Sequence, residues 1–167
     1  FSGVFNGKNA LHGLSLLRGK EGEKIAAGCV TIADDPFYPA HAMQMPFDAE
    51  GVATFEKKIV EAGVLKTLLY DLTTAAQTGN TSTGNAVRGS YAEPVSIAPS
   101  CLMLLPGKET FEELCRRMGD GLYITEMKGF HAGASAVTGD FSIESAGFLV
   151  KNGEMVDYGK PLFRVKA

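Results

Sequence analysis

His131, Ser135 and Asp140 lie within one Gly-rich stretch, Gly129 to Ser142, and have the types to serve as base, nucleophile and orienting carboxylate. Such a triad is defined by geometry, however, and no G-x-S-x-G turn that would present a serine on a sharp elbow accompanies them. A single histidine in a Gly-rich loop reads as a hydrogen-bonding group, so His131 is taken as a polar residue of a cleft and not as a base. Thr138-Gly139-Asp140 reads as a turn whose Asp140 carboxylate accepts backbone N–H groups. Hydrolytic zinc needs three protein ligands and an open position for water. His12, His41 and His131 open the strings HGLSL, HAMQM and HAGAS, and none is followed by Glu or by a second His one helical turn on. No catalytic zinc and no other cofactor is therefore expected in this segment. Glu126 and Asp140 could meet as a carboxylate pair, although separate solvated positions are the plainer reading.

Phosphate binding is the other chemistry the spacing suggests. Gly79 and Gly84 within TGNTSTGNAVRGS (Thr78 to Ser90) begin like a phosphate-binding loop, but Asn85 and Ala86 follow where Lys and Ser or Thr would be needed. The stretch reads as a polar loop whose glycines permit unusual backbone angles.

Several elements must hold these residues. Asn6 is placed to cap a helix running through Leu17, with Leu11 and Leu14 on its face and Gly19 as the stop. Cys29 to Ala33 is β-branched and apolar and reads as a strand ended by Asp34-Asp35-Pro36. Val52 to Val60 and Val64 to Tyr70 flank Glu61-Ala62-Gly63, a three-residue hairpin loop. Thr110 and Glu113 form a capping box ahead of a helix to Met118, whose stripe is Phe111, Leu114, Cys115 and Met118. Strands are expected at Cys101 to Leu105 and Gly121 to Met127. Asn152-Gly153 marks a type I′ hairpin between Ala146 to Lys151 and Glu154 to Tyr158. The fold class is α+β and strand-dominated: antiparallel hairpins with a few short helices.

The 167 residues suit one domain, 1–167, able to bury roughly two thirds of its unfolded surface. A net charge of -3, with Lys57-Lys58 and Arg116-Arg117 each close to Glu, offers no footprint for nucleic acid. No apolar run of membrane-spanning length and no signal peptide occurs. Three cysteines without C-x-x-C spacing fit a reducing cytoplasm. The first residue is Phe1 rather than Met, and the chain reads as a fragment of a longer protein.

STGNA (Ser82 to Ala86), GDGLYITE (Gly119 to Glu126) and GFHAGASAVTGDFS (Gly129 to Ser142) occur together and in order, with Asp34-Asp35-Pro36, the run Pro46 to Gly51, and Asn152-Gly153. The combination resembles the TldD/PmbA family of metallopeptidase-like proteins, also labelled modulators of DNA gyrase, and covers most of the chain. Members that hold zinc do so on a helix bearing H-E-x-x-x-H, which is absent from this sequence. The resemblance is therefore to the C-terminal domain of the PmbA (TldE) side. It implies a catalytically silent, cleft-forming subunit, with zinc on a TldD-like partner or, in a self-dimer, none in this segment, and with unfolded peptides as substrate. It further implies that Thr83, Gly84, Asn85, Glu126, His131, Thr138 and Asp140 border the cleft. Two alternatives remain open: an independent metallopeptidase whose zinc helix lies before Phe1, and a regulatory protein that binds gyrase or a toxin–antitoxin partner.

Overall fold

A computed structural model describes residues 2–41, 44–156 and 162–166, with the side chains of 131, 132, 162 and 163 outside the description. It comprises two compact units, Phe1–Pro106 and Gly107–Ala167. Strands dominate and, among the described residues, the pairings between strands are antiparallel, with one isolated parallel bridge at Asn6 and Leu69, the class the hydrophobic patterning predicts.

In the first unit a 3-10 turn at Ser2–Phe5 leads into α1 (Gly7–Leu11). Asn6 caps it as expected, its side chain accepting from the amides of Lys8 and Asn9. The helix ends at Leu11 and not at Leu17, because Gly13 takes a φ of 73° and turns the chain away. Leu14 is consequently exposed while Leu17 is buried, so the three-residue leucine spacing does not mark one helical face.

Four strands of this unit, β1 (Ile32–Asp34), β2 (Lys57–Glu61), β3 (Val64–Leu65) and a later one at Leu102–Leu104, form a sheet. Between β3 and that last strand come α2 (Leu72–Thr78) and the short pair β4 (Ala86–Val87) and β5 (Ser96–Ile97), which makes Leu102–Leu104 β6. The sheet order is β3-β2-β1-β6. Ile59, Val60, Leu65, Leu68 and Leu69 form the centre of its core. The β2–β3 turn has two residues, not three: Ala62 and Gly63 have φ of 48° and 82°, the signs of a type I′ turn. Beyond Leu65 the expected strand stops, since the chain pairs with the N-terminal turn instead. Leu69 N donates to Phe5 O at 2.8 Å and Gly7 N donates to Leu69 O at 2.8 Å. The helix α2 was not anticipated, although Asp71 caps its start and Gly79, with φ 71°, its end.

The second unit contains α3 (Phe111–Met118), β7 (Gly121–Lys128), α4 (Phe130–Gly133), β8 (Ser142–Lys151), β9 (Glu154–Val156) and β10 (Leu162–Lys166). The capping box on α3 is present in both directions, Thr110 Oγ1 accepting from Glu113 N and Glu113 accepting from Thr110 N. Asn152 and Gly153 have φ of 50° and 81°, the predicted type I′ turn. The last residues of that predicted strand, Asp157 and Tyr158, lie outside the described residues. A Cβ on Gly153 would come 2.8 Å from the Cα of Arg116, so this hairpin is pressed against α3. β8 is the spine of the unit, with β7 on one side and β10 and β9 on the other. A bulge between Ile124 and Glu126 interrupts the β7–β8 ladder, where Gly147 lets Tyr123 O approach to a distance no side chain would allow.

Gly63→Ala places a Cβ 2.4 Å from Ala26 O at positive φ, whereas Gly19 has positive φ but open space around it. We expect Gly63→Ala to destabilise by about 2 kcal/mol or more and Gly19→Ala by about 1 kcal/mol, read as urea midpoints at unchanged m-value.

Candidate functional site

Asp34 is the last residue of β1, wholly buried, and stands opposite Lys57 on β2 and Leu102 on β6. A carboxylate removed from water must have its lone pairs filled, and here they are. Oδ1 accepts from Cys101 N at 2.7 Å; Oδ2 accepts from Asn85 Nδ2 at 2.8 Å and from Lys57 Nζ at 3.3 Å. Burial holds the Lys57 ammonium below its ordinary pKa, with Asp34 pulling the other way, and the ring of Phe55 lies 4.7 Å from Nζ.

Asn85 carries the network onward. Its Nδ2 also donates to Ala98 O at 3.1 Å, and its Oδ1 accepts from the Thr83 hydroxyl at 2.8 Å. That hydroxyl in turn accepts from Tyr70 N at 2.8 Å. Tyr70 has contacts beyond this network: its phenol donates to Glu21 Oε1 at 2.8 Å, and its ring fills the space where Gly7 has no Cβ. Burial and the Glu21 carboxylate push the phenol pKa well up. One residue past Asn85, Ala86 N donates to Asp48 Oδ2 at 3.0 Å, while Asp48 Oδ1 accepts from Glu50 N and Val52 N. Gly84, at φ 67°, lets Ala53 O sit 2.8 Å from where a Cβ would be. The STGNA residues thus lock four other segments together, at Asp34, Asp48–Ala53, Tyr70 and Ala98. None of their polar side chains is left to act as nucleophile or base.

Gly84 and Asn85 nonetheless form part of the wall of a small pocket of about 160 Å³, together with His41, Met45, Phe47 and Ser100. Met45 and Phe47, 46% and 60% exposed, are its solvent-facing apolar members.

The remaining predicted residues belong to the second unit. Glu126 is exposed on β7, opposite Ala146 just past the bulge. His131 falls in α4, and its side chain is outside the described residues. The turn here covers residues 136–138, earlier in the chain than the predicted Thr138-Gly139-Asp140, and the amides here are held by hydroxyls: Thr138 N donates to Ser135 Oγ and Asp140 N donates to Thr138 Oγ1, each at 3.2 Å. Hydroxyls, not the Asp140 carboxylate, accept these two amides. Ser135 is thereby a turn-forming residue, its own amide donating to Asp140 O at 2.9 Å.

Sequence reasoning missed Asp34 and Lys57 as members of the site. Lys57 had a readable signal, since it alternates with Ile59 on the buried face of β2 while Lys58 points to water and pairs with Glu61. Among the described residues no three His, Cys, Asp or Glu side chains come together as a metal site. Among the described residues, too, no helix is long and apolar enough to cross a membrane.

A family model described as the PmbA/TldA metallopeptidase C-terminal domain matches residues 1–162. The chain is 33% identical over 161 residues to an uncharacterized protein of Methanocaldococcus jannaschii, covering 96% of this chain and 37% of that protein. To metalloprotease PmbA of Escherichia coli O157:H7 it is 36% identical over 134 residues, 80% of this chain and 27% of that protein. Among solved structures, TldE from Thermococcus kodakarensis matches with a TM-score of 0.88 at 28% identity, over 100% of this chain and 37% of its own. A candidate DNA gyrase modulator from Thermotoga maritima matches with a TM-score of 0.84 at 43% identity, over 92% and 34%. The chain therefore spans roughly a third of the length of these relatives.

Asn85→Ala would remove one partner each from Asp34, Ala98 O and Thr83 in a site closed to water. We expect a loss of about 2–4 kcal/mol in unfolding free energy, measured by chemical denaturation, and a far smaller loss for Asn80→Ala on the exposed end of the same loop.

Proposed function

The chain belongs to the PmbA/TldD metallopeptidase family, and from that premise we propose that it is a non-catalytic, cleft-forming part of a TldD/TldE-type peptidase complex that takes unfolded peptides. The observation that carries this reading is β7. Among the described residues it is the end strand of its sheet, eight residues long, paired to β8 and with most of its side chains exposed. An extended peptide can add to such an edge through backbone hydrogen bonds that are indifferent to sequence, which suits a mixture of unfolded substrates. Glu126 lies on this strand, and His131, Thr138 and Asp140 follow in the Gly-rich segment just beyond it.

Within the first unit Thr83, Gly84 and Asn85 shape a rigid wall, since their side chains and backbone are already engaged there. Zinc, the attacking water and the chemistry of bond cleavage belong in this reading to a TldD-like partner subunit. The complex is taken to be cytoplasmic. The similarity to TldE supports the choice of the silent side of the family.

The test is hydrolysis of an unstructured peptide by the full-length parent protein, alone and mixed with its metal-bearing paralogue, with and without a chelator. Chelator-sensitive cleavage in the mixture only is the expected result. Equal cleavage by the parent protein alone would replace this reading with that of an independent metallopeptidase.

A further inference from the structure

Helix α3 carries Phe111, Leu114, Cys115 and Met118 at the spacing of a stripe that a helix normally buries. Only Cys115 is buried; Phe111, Leu114 and Met118 remain 38%, 43% and 42% exposed. Beside them is the start of β7, where Leu122 and Tyr123 are each 38% exposed. The two elements bound a groove of about 440 Å³. Phe111 and Tyr123 meet across it, ring centroids 4.8 Å apart, which fixes one end. Arg117 also lines the groove, but its guanidinium is paired with Glu109 at 2.6 Å, so the rim carries little unbalanced charge.

Two features lie side by side among the described residues: an apolar stripe half in water, and the outer edge of the end strand β7. A helix laid in the groove would cover the stripe and leave the edge unpaired. A polar small molecule would satisfy neither. An extended chain meets both, with its backbone on β7 and every second side chain turned toward α3. We propose that this groove is a side-chain subsite which takes one apolar residue of Leu, Met or Phe size from an unfolded peptide paired with Gly121–Ile124. The proposal rests on the peptide-binding reading above and adds a preference that backbone pairing alone would not produce.

The full-length parent protein is titrated with fluorescently labelled Gly/Ser/Thr peptides, identical except for a single central Leu, Asp, Lys or Ser. A peptide of this kind can slide to place its one distinctive residue in the groove. The single-Leu peptide should bind about tenfold tighter than the Asp or Ser versions. Leu114→Asp should abolish that preference and reverse it in favour of the single-Lys peptide, with the helical circular dichroism of the wild type retained. If that variant does not fold, Leu114→Ser serves, and should level the Leu and Ser peptides. Equal binding of all four peptides by the wild type, or a Leu preference that survives both substitutions, overturns the subsite and leaves the peptide-binding reading standing. Failure of the wild type to bind any peptide overturns both. A parent protein that self-associates in solution and is made monomeric by Leu114→Asp would place a second copy in the groove and likewise overturn the proposal.

Discussion

The Asp34 carboxylate is the constraint around which the first unit is arranged. Burying an unpaired carboxylate costs several kcal/mol, so each partner that is lost weakens the first unit. Those partners come from distant parts of the chain: Lys57 from β2, Asn85 from the STGNA stretch, and Cys101 N from the approach to β6. Because Asp34 sits in a central strand, satisfying it also ties the STGNA segment to the middle of the sheet. Thr83 and Tyr70 extend the same constraint to the connection between β3 and α2, and the Tyr70 ring, packed where Gly7 has no Cβ, carries it to α1. A motif that looks chemical in sequence is thus consumed by structure. Its polar atoms hold one another, and what it offers outward is shape.

Such an arrangement suits the proposed role, in which the chain presents a surface. Buried hydrogen-bond networks that are fully satisfied rigidify the elements they join, and a strand or wall that must align a peptide gains from that rigidity. Among the described residues no buried side-chain nitrogen or oxygen is left without a partner. The second unit has the complementary character. Its spine, β8, is paired on both sides, whereas β7 and the outward stripe of α3 are left incompletely covered.

What could be read from the sequence was local. Thr110 and Glu113 are three apart, and Asn152-Gly153 needs only its two flanking strands, so the capping box and the type I′ turn were legible without knowledge of the rest. Asn6 was read as a cap for the same reason. The end of α1 was not, because the leucine spacing continued past the residue, Gly13, that actually breaks the helix. The Asp34 network was invisible for a different reason. Its members are up to 67 residues apart, and a buried lysine beside an exposed one looks in sequence like an ordinary pair of surface charges. Asp140 was given a capping role that nearby hydroxyls fill, a competition between equivalent acceptors that residue types alone do not decide.

Amide hydrogen exchange on the full-length protein, with and without an unstructured peptide at saturating concentration, tests the central claim most directly. Added protection concentrated in Gly121–Lys128, with the already closed Thr83–Asn85 segment unchanged, is the result this account predicts. Protection that appears around Thr83–Asn85 while β7 exchanges as before would contradict it, and would move the peptide site to the pocket beside Met45 and Phe47.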